Sequence, residues 1–315
     1  MGTTQTVWNS CDGNAGVKAM SILPRWPRLT RRQWLKVAAG ASVATVLGLG
    51  TYTRWIEPHW IDIVTRDLPI ALLDPQLEGK RLIQISDIHV GPIVDDDYVI
   101  RALNMVAELE PDFLVLTGDF ISSNRDGSTP LDQARKVYSH LKPAKLATIG
   151  ILGNHDYGPG WSEPRVADAV VSMLRDNGCD VLRNEEKSVA GLRLIGFDDL
   201  WSRQFGPRLM SNLMPSNEPT LALCHNPDAV DLPAWSTYRG WILAGHTHGG
   251  QCKPPFLPPP ILPVKNQRYT SGEFDLYDGR RLYINRGLGY LRQVRFNVRP
   301  EITVFTLRRD STATA

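Results

Sequence analysis

Arg81-Leu82-Ile83-Gln84-Ile85-Ser86-Asp87-Ile88-His89 is a short apolar run that ends in a carboxylate and an imidazole. A run of this length reads as a buried strand, and its ligand-type residues fall where strand gives way to loop. The pattern recurs four times. Phe113-Leu114-Val115-Leu116 leads to Gly118-Asp119, and Ala147 to Leu152 leads to Gly153-Asn154-His155-Asp156. Leu221-Ala222-Leu223 leads to Cys224-His225, and Trp241-Ile242-Leu243-Ala244 leads to Gly245-His246-Thr247-His248. Between the first two runs, Asp95-Asp96-Asp97 opens a helical pattern that runs to Glu110 and stops at Pro111. Acids there suit the positive end of a helix. Strand, helix and strand from Leu82 to Leu116 make a βαβ unit, so the sheet is parallel at its core. The predicted fold class is α/β, with a site at the carboxyl edge of the sheet, where open α/β sheets form binding sites.

The chain has seven histidines, and five of them lie inside these motifs. Asp87 and His89, one residue apart, both reach one metal from a strand end. Asp119 adds a carboxylate able to bridge two cations, Asn154 a neutral oxygen, and His225, His246 and His248 imidazole nitrogens. Such a mixed N/O set without thiolate suits Mn, Fe, Zn or Co. Seven ligands exceed the needs of one tetrahedral zinc and suit two metals that share a ligand. Each residue alone has a plainer reading: a core histidine, a turn-forming Asp119, a loop-capping Asn154. Those readings do not predict five motifs in this order.

The ordered series D-x-H, G-D, G-N-H-D, H and G-H-x-H resembles the calcineurin-like metallophosphoesterase superfamily, over about residues 80–252 with a tail to Leu307. Gly245-His246-Thr247-His248-Gly249-Gly250-Gln251, a twin-arginine leader and Asn285-Arg286-Gly287-Leu288-Gly289 narrow the resemblance. They look like the bacterial exported phosphodiesterase group whose relatives include UDP-2,3-diacylglucosamine pyrophosphatase-type enzymes. The resemblance implies a two-sheet sandwich flanked by helices (α/β/β/α). It implies that Asp87, His89 and His248 hold one metal, that Asn154, His225 and His246 hold the other, and that Asp119 bridges them. A hydroxide shared by the metals is then the nucleophile at phosphorus. His155 is left over as the acid or charge stabiliser at the leaving oxygen, and Asp156 would orient it. Asn285 and Arg286 are candidate substrate contacts. Purple acid phosphatases carry a Tyr ligand three residues after the bridging Asp. Here that position is Ser122, so a pair of Mn or related divalent ions is expected rather than a tyrosinate–iron centre.

The 315 residues suffice for one large core or two domains, and 42% hydrophobic with 22% charged residues is ordinary globular composition. The net charge of +2 hides an asymmetry, because residues 1–50 carry six basic residues and one acid, +5, leaving −3 for the remainder. A mildly acidic body offers no electrostatic case for nucleic acid. The basic cluster has another use. Thr30-Arg31-Arg32-Gln33-Trp34-Leu35-Lys36 precedes an uncharged stretch from Val37 to Tyr52, the pattern of an export signal; the paired arginines resemble a Tat signal, with Trp34 where Phe or Leu is commoner. About sixteen apolar residues fall short of the ~20 that span a bilayer comfortably, and no clean Ala-x-Ala site follows. The segment is therefore a signal cleaved at a non-ideal site or a short anchor that places the body outside, in the periplasm or at the outer face of the cytoplasmic membrane. Met20 is an alternative start.

The organisation expected is a signal or anchor at 1–53, a linker and edge strand at 54–79, and the catalytic domain at 80–310. Further helices are predicted at Leu131–Leu141 and Glu163–Asn177, and strands at 191–197, 281–284 and 302–307. Cys224 and Cys252 each flank a metal motif and read either as a disulfide that export permits or as buried thiols. The Pro-rich stretch from Lys253 to Val264 is neither central strand nor helix. It should lie beside the site, as a stiff packed loop or as an apolar lip (Phe256, Leu257, Ile261, Leu262) for a lipid-like substrate or a membrane. The predicted function is hydrolysis of a phosphodiester or pyrophosphate, including envelope-associated or lipid-linked ones. The rivals are a phosphomonoesterase or nucleotidase on small soluble substrates and a non-catalytic metal-stabilised binding module.

Overall fold

The computed structural model describes residues 29–206, 217–235 and 237–310. Lys18, Arg25, Arg28, Cys11 and Met20 of the leader lie outside them. The chain divides into two compact units, Met1–Leu47 and Gly48–Ala315. The first carries most of helix α1 (Arg31–Thr51), whose side chains are all exposed or half-exposed. With its continuation to His59, this is the one helix among the described residues long and apolar enough to cross a membrane.

The second unit holds strands β1 (Asp62–Ile70), β2 (Arg81–Ile85), β3 (Phe113–Thr117), β4 (Ala147–Ile151), β5 (Asp180–Val181) and β6 (Glu185–Val189). It continues with β7 (Leu192–Gly196), β8 (Thr220–Leu223), β9 (Gly240–Ala244), β10 (Gly272–Asp275), β11 (Arg280–Ile284) and β12 (Glu301–Arg309). They form two six-stranded sheets, ordered β1-β12-β2-β3-β4-β5 and β10-β11-β9-β8-β7-β6. β2 to β5 pair in parallel, as do β7, β8, β9 and β11. The predicted edge strand is β1, which pairs in parallel with β12, and β12 returns antiparallel to β2.

The period of two explains the layers. Leu82 faces the second sheet and packs with Phe113, Leu194, Leu223 and Leu243. Its neighbours Ile83 and Ile85 face the other way, toward helices α2 (Asp96–Glu108), α3 (Leu131–Tyr138) and α4 (Pro164–Asp176). Each helix buries a stripe at helical spacing, such as Val99, Ala102, Leu103 and Val106 in α2. Asp95 caps α2 by accepting the Tyr98 N–H at 2.7 Å. The outer face of the second sheet is covered differently. Among the described residues, short 3₁₀ turns at Pro227–Asp231 and Pro233–Trp235 lie over Ile195, Ala222 and Ile242. The two sheets are tied where their parallel strands end: Gln84 Nε2 donates to Thr117 Oγ1 at 3.1 Å and to the Ala244 carbonyl at 3.0 Å. Cys179, Cys224 and Cys252 are free thiols, so the disulfide reading for Cys224 and Cys252 is corrected.

Candidate metal centre

Five loops leave the carboxyl ends of β2, β3, β4, β8 and β9 and converge at that tied end. They carry Asp87 and His89, then Asp119, then Asn154 to Asp156, then His225, then His246 and His248. All are buried except His155, which is half-exposed. Asp87, His89, Asp119, His246 and His248 all hold a left-handed backbone, with φ between 50° and 71°. Residues with a Cβ rarely adopt this region, and each instance costs of order 1–3 kcal/mol. Hydrogen bonds between the loops hold them there. The Asp87 N–H donates to the Gly118 carbonyl at 2.9 Å, and the His89 N–H to that of Asp119 at 3.0 Å. The His246 N–H meets both Asp87 carboxylate oxygens at 3.0 Å.

The side chains fall into two groups that meet at Asp119. In one, His89 Nε2 lies 3.0 Å from His248 Nε2, and His248 Nε2 lies 3.4 Å from Asp87 Oδ1. In the other, His225 Nε2 lies 3.2 Å from His246 Nδ1 and 3.2 Å from Asp119 Oδ2. The same Asp119 oxygen is 3.5 Å from His89 Nε2. Three of the four outward nitrogens are occupied, while Nδ1 of His248 is buried without a partner. His225 Nδ1 lies 2.7 Å from the Thr117 carbonyl, and His246 Nε2 2.8 Å from that of Pro263. A carbonyl only accepts, so those nitrogens carry protons; on His225, burial alone would lower the pKa, but the Asp119, Asp87 and Asp199 carboxylates raise it well above the usual imidazole value, so a metal there displaces a proton from Nε2. His89 Nδ1 meets Ser122 Oγ at 2.8 Å. Burial pushes the pKa of His89 and of His246 down to about 3 and also lowers that of His248, which keeps them neutral, the form that binds metal.

Two further features fit a cation pair. Asn154 is buried, yet neither carboxamide atom has a hydrogen-bond partner; an orphaned buried polar group costs ~1–3 kcal/mol unless something outside the protein satisfies it. Glycine lets the loops close. A Cβ at Gly118, where φ is 90°, would lie 2.6 Å from the Gly153 nitrogen and 2.8 Å from His225 Nδ1. One at Gly245 would overlap Ser86 Oγ and the Asp87 carboxylate.

Three of the predicted site residues sit differently from expectation. The Asp156 carboxylate is turned to backbone, not to the His155 ring. One oxygen accepts the N–H groups of Asp119 at 2.9 Å and Gly153 at 2.8 Å, and the other accepts Phe120 at 2.7 Å. Its role as the residue that orients His155 is thereby corrected. Asn285 is fully buried; its Nδ2 donates to Thr303 Oγ1 at 2.8 Å and its Oδ1 accepts the Gly287 N–H at 2.8 Å. Arg286 pairs through Nε with Glu301 and through Nη2 with Asp62 at 3.0 Å. Both side chains are spent inside the protein, which removes the basis for treating them as substrate contacts.

Sequence reading missed Arg295, a fully buried guanidinium that donates to the carbonyls of Arg286, Gly287, Gly289 and Val298. It holds the loop whose Gly289 N–H meets the Asp87 carbonyl at 2.7 Å. It also missed Trp161 and Trp201, which flank His155 and His246. No residue pattern marks them, because a guanidinium that caps loop carbonyls and an indole beside a histidine are recognisable only once the loops are folded.

Comparison with known proteins bears on this centre. The calcineurin-like phosphoesterase family matches residues 80–250. The phosphodiesterase YaeI of Escherichia coli (strain K12) is 30% identical, over 89% of this chain and 99% of its own length. The UDP-2,3-diacylglucosamine pyrophosphatase LpxG of Chlamydia trachomatis (serovar D) is 25% identical, over 85% of this chain and 97% of its own. A crystal structure of a dimetal phosphatase from Danio rerio has a TM-score of 0.46 and 12% identity, covering 73% of this chain and 99% of that one.

Proposed function

The chain belongs to the calcineurin-like phosphoesterase family, and from that premise we propose that it is an exported hydrolase of phosphodiester or pyrophosphate bonds, working on an envelope-associated or lipid-linked substrate. The observation that carries the reading is the pair of buried histidine–carboxylate groups meeting at Asp119, with His155 beside them and half-exposed. In this reading Asp87, His89 and His248 hold one divalent ion, and Asn154, His225 and His246 hold the other. Asp119 is shared between them. The donors are imidazole, carboxylate and amide with no thiolate, a set that suits Mn, Fe, Zn or Co; of these we take Mn, because Ser122 stands where a tyrosinate–iron centre would have its Tyr. Bound there, the ions would supply Lewis-acid activation of water and neutralise charge at phosphorus.

The protein's own contribution is positioning. Thr117, Ser122 and Pro263 fix the rotation of three imidazoles. Asp156 fixes the backbone of Asp119 against that of Gly153. The His155 ring stands edge-on to His89 at 4.9 Å between centroids, and it supplies the proton for the leaving oxygen. His155 also lies within reach of an ion at His89 and Asp119, but the seven other donors suffice for two ions, which leaves it for the leaving oxygen and favours turnover over a binding module.

Support for a lipid-linked substrate comes from the Lys253–Val264 stretch. Its Pro263 carbonyl anchors His246, while Phe256, Leu257 and Ile261 are exposed. LpxG, by its name, acts on a diacylated sugar nucleotide. We place the body outside the cytoplasm after Tat export through Arg31-Arg32, with the apolar helix retained as an anchor. Supporting retention, the chain just after that helix belongs to the folded body. Glu57 and Pro58 are buried, the Val298 N–H donates to Glu57 Oε1 at 2.6 Å, and the Arg295 N–H donates to the Thr53 carbonyl at 3.0 Å.

The test is hydrolysis by the Mn-loaded protein of bis-p-nitrophenyl phosphate, p-nitrophenyl phosphate and a lipid-linked pyrophosphate. Turnover of the diester or pyrophosphate above the monoester is expected. Preference for the monoester would replace the reading with a phosphomonoesterase, and no turnover on any of them would sink it.

A further inference from the structure

Trp161 and Trp201 reach across the seam between the two sheets. Trp161 follows β4 in the first sheet and Trp201 follows β7 in the second, yet their rings stack with centroids 5.0 Å apart and planes 28° from parallel. The stack is continuous with the candidate metal centre at both ends. Trp161 stands 5.9 Å from the His155 ring at 62°, and Trp201 stands edge-on to His246 at 4.4 Å. The two indoles therefore wall one side of the space between the residue assigned to the leaving group and a residue assigned to the second ion.

Two features separate this wall from ordinary packing. Trp161 holds a left-handed backbone with φ of 58°, a conformation that a bulky side chain adopts only under constraint and that concentrates at working sites. Both rings also keep solvent-exposed surface, and open grooves run along them: one is lined by Trp161, Trp201, Ser202 and Arg203, the other by His155, Trp161 and Arg125. Arg125, which makes no ion pair among the described residues, lines the same groove as His155 and Trp161.

We propose that Trp161 and Trp201 form an aromatic subsite for a ring joined to the scissile phosphate, either the flat base of a nucleoside or the C–H face of a sugar, and that this subsite selects ring-bearing phosphates over alkyl ones. A planar ring extends an offset stack at the usual 4.5–7 Å centroid spacing. A flexible alkyl group laid on the same surface loses more conformational entropy. Because the wall adjoins His155 and His246, a ring one short linkage from phosphorus reaches it. The inference rests on the cleft being a phosphoesterase site and names the part of the substrate that this side of it reads.

The experiment is equilibrium titration of the full-length, Mn-loaded protein with uridine 5′-monophosphate, glucose 1-phosphate and glycerol 3-phosphate. At least one ring-bearing ligand is expected to bind about tenfold or more tightly than glycerol 3-phosphate, in line with the strength of base–aromatic stacking. Which of the two does so identifies the ring as base or sugar. Trp201→Ala is expected to bring that ratio close to one, and Trp201→Phe to restore most of it, with Trp161→Leu as a second removal of the wall. Equal binding of all three ligands by the native protein would overturn the proposal. So would a ratio that survives both removals. Binding does not require turnover, so ring preference together with no hydrolysis of the diester, the monoester or the lipid-linked pyrophosphate would sink the enzyme reading and leave the subsite standing.

Discussion

One carboxylate oxygen of Asp156 accepts the backbone N–H of Asp119 at 2.9 Å, so the side chain closing the Gly153-Asn154-His155-Asp156 loop sets the position of the residue shared by the two clusters. Asp156→Asn puts an NH₂ donor against amides that need an acceptor. Buried donors left unmatched cost ~1–3 kcal/mol, which for a domain of this size lowers Tm by roughly 3–10 °C. A thermal melt of the metal-free protein checks this. Metal content should fall as well, because Asp119 loses its hold. An unchanged melt with two metals per chain would mean that these amides find other acceptors.

His155→Ala tests the opposite kind of residue. Its backbone N–H donates to Asp119 Oδ1 at 2.9 Å, and alanine retains that bond. Metal content should stay near two per chain while turnover of a diester falls by about 10²–10⁴-fold, the range for a lost general acid. Loss of metal instead, measured by elemental analysis, would make His155 a ligand.

Gly118→Ala should be among the most damaging single-methyl changes in the chain. The φ of 90° and the 2.6 Å approach to the Gly153 nitrogen leave no room for a Cβ without moving backbone. A loss of several kcal/mol is expected, since strain and overpacking add. Chemical denaturation of wild type and variant checks it, and a difference under about 1 kcal/mol would contradict the geometry.

Far from the metals, the Arg280 guanidinium holds the Asp278 carboxyl below its usual pKa by hydrogen bonding, with Nη2 to Oδ2 at 2.7 Å and Nε to Oδ2 at 2.9 Å. A depressed acid contributes stability above its unfolded pKa and loses it as pH falls through the folded one. Asp278→Asn should therefore lower stability at neutral pH, by less than about 1 kcal/mol because the pair is partly exposed. The gap should close as pH drops below the ordinary carboxylate range. Melts of both proteins at pH 7 and pH 3 check the sign.

The legible part of the molecule was the part written locally. The run Arg81–Ile85, the acids that open α2 and the Pro111 that follows it are each recognisable within a few residues, because strand burial, helix capping and helix termination act over that range. The pairing of β1 with β12 was not legible, since it joins residues about 240 apart. Nor was the sharing of Asp156 among backbone amides, which one residue's identity cannot announce.

By itself the sequence determined which donors exist and in what order: five apolar runs, each ending in carboxylate, amide or imidazole, which is enough to name the family and its chemistry. Tertiary structure decided how those donors are used. It put five of them in a left-handed backbone, turned Asp156, Asn285 and Arg286 inward, and brought Trp161 and Trp201 together across the two sheets. The reason is physical. Residue type fixes what a group can bind, whereas direction and neighbours are set by contacts between segments far apart in the chain, and only the packed sheets bring those segments together.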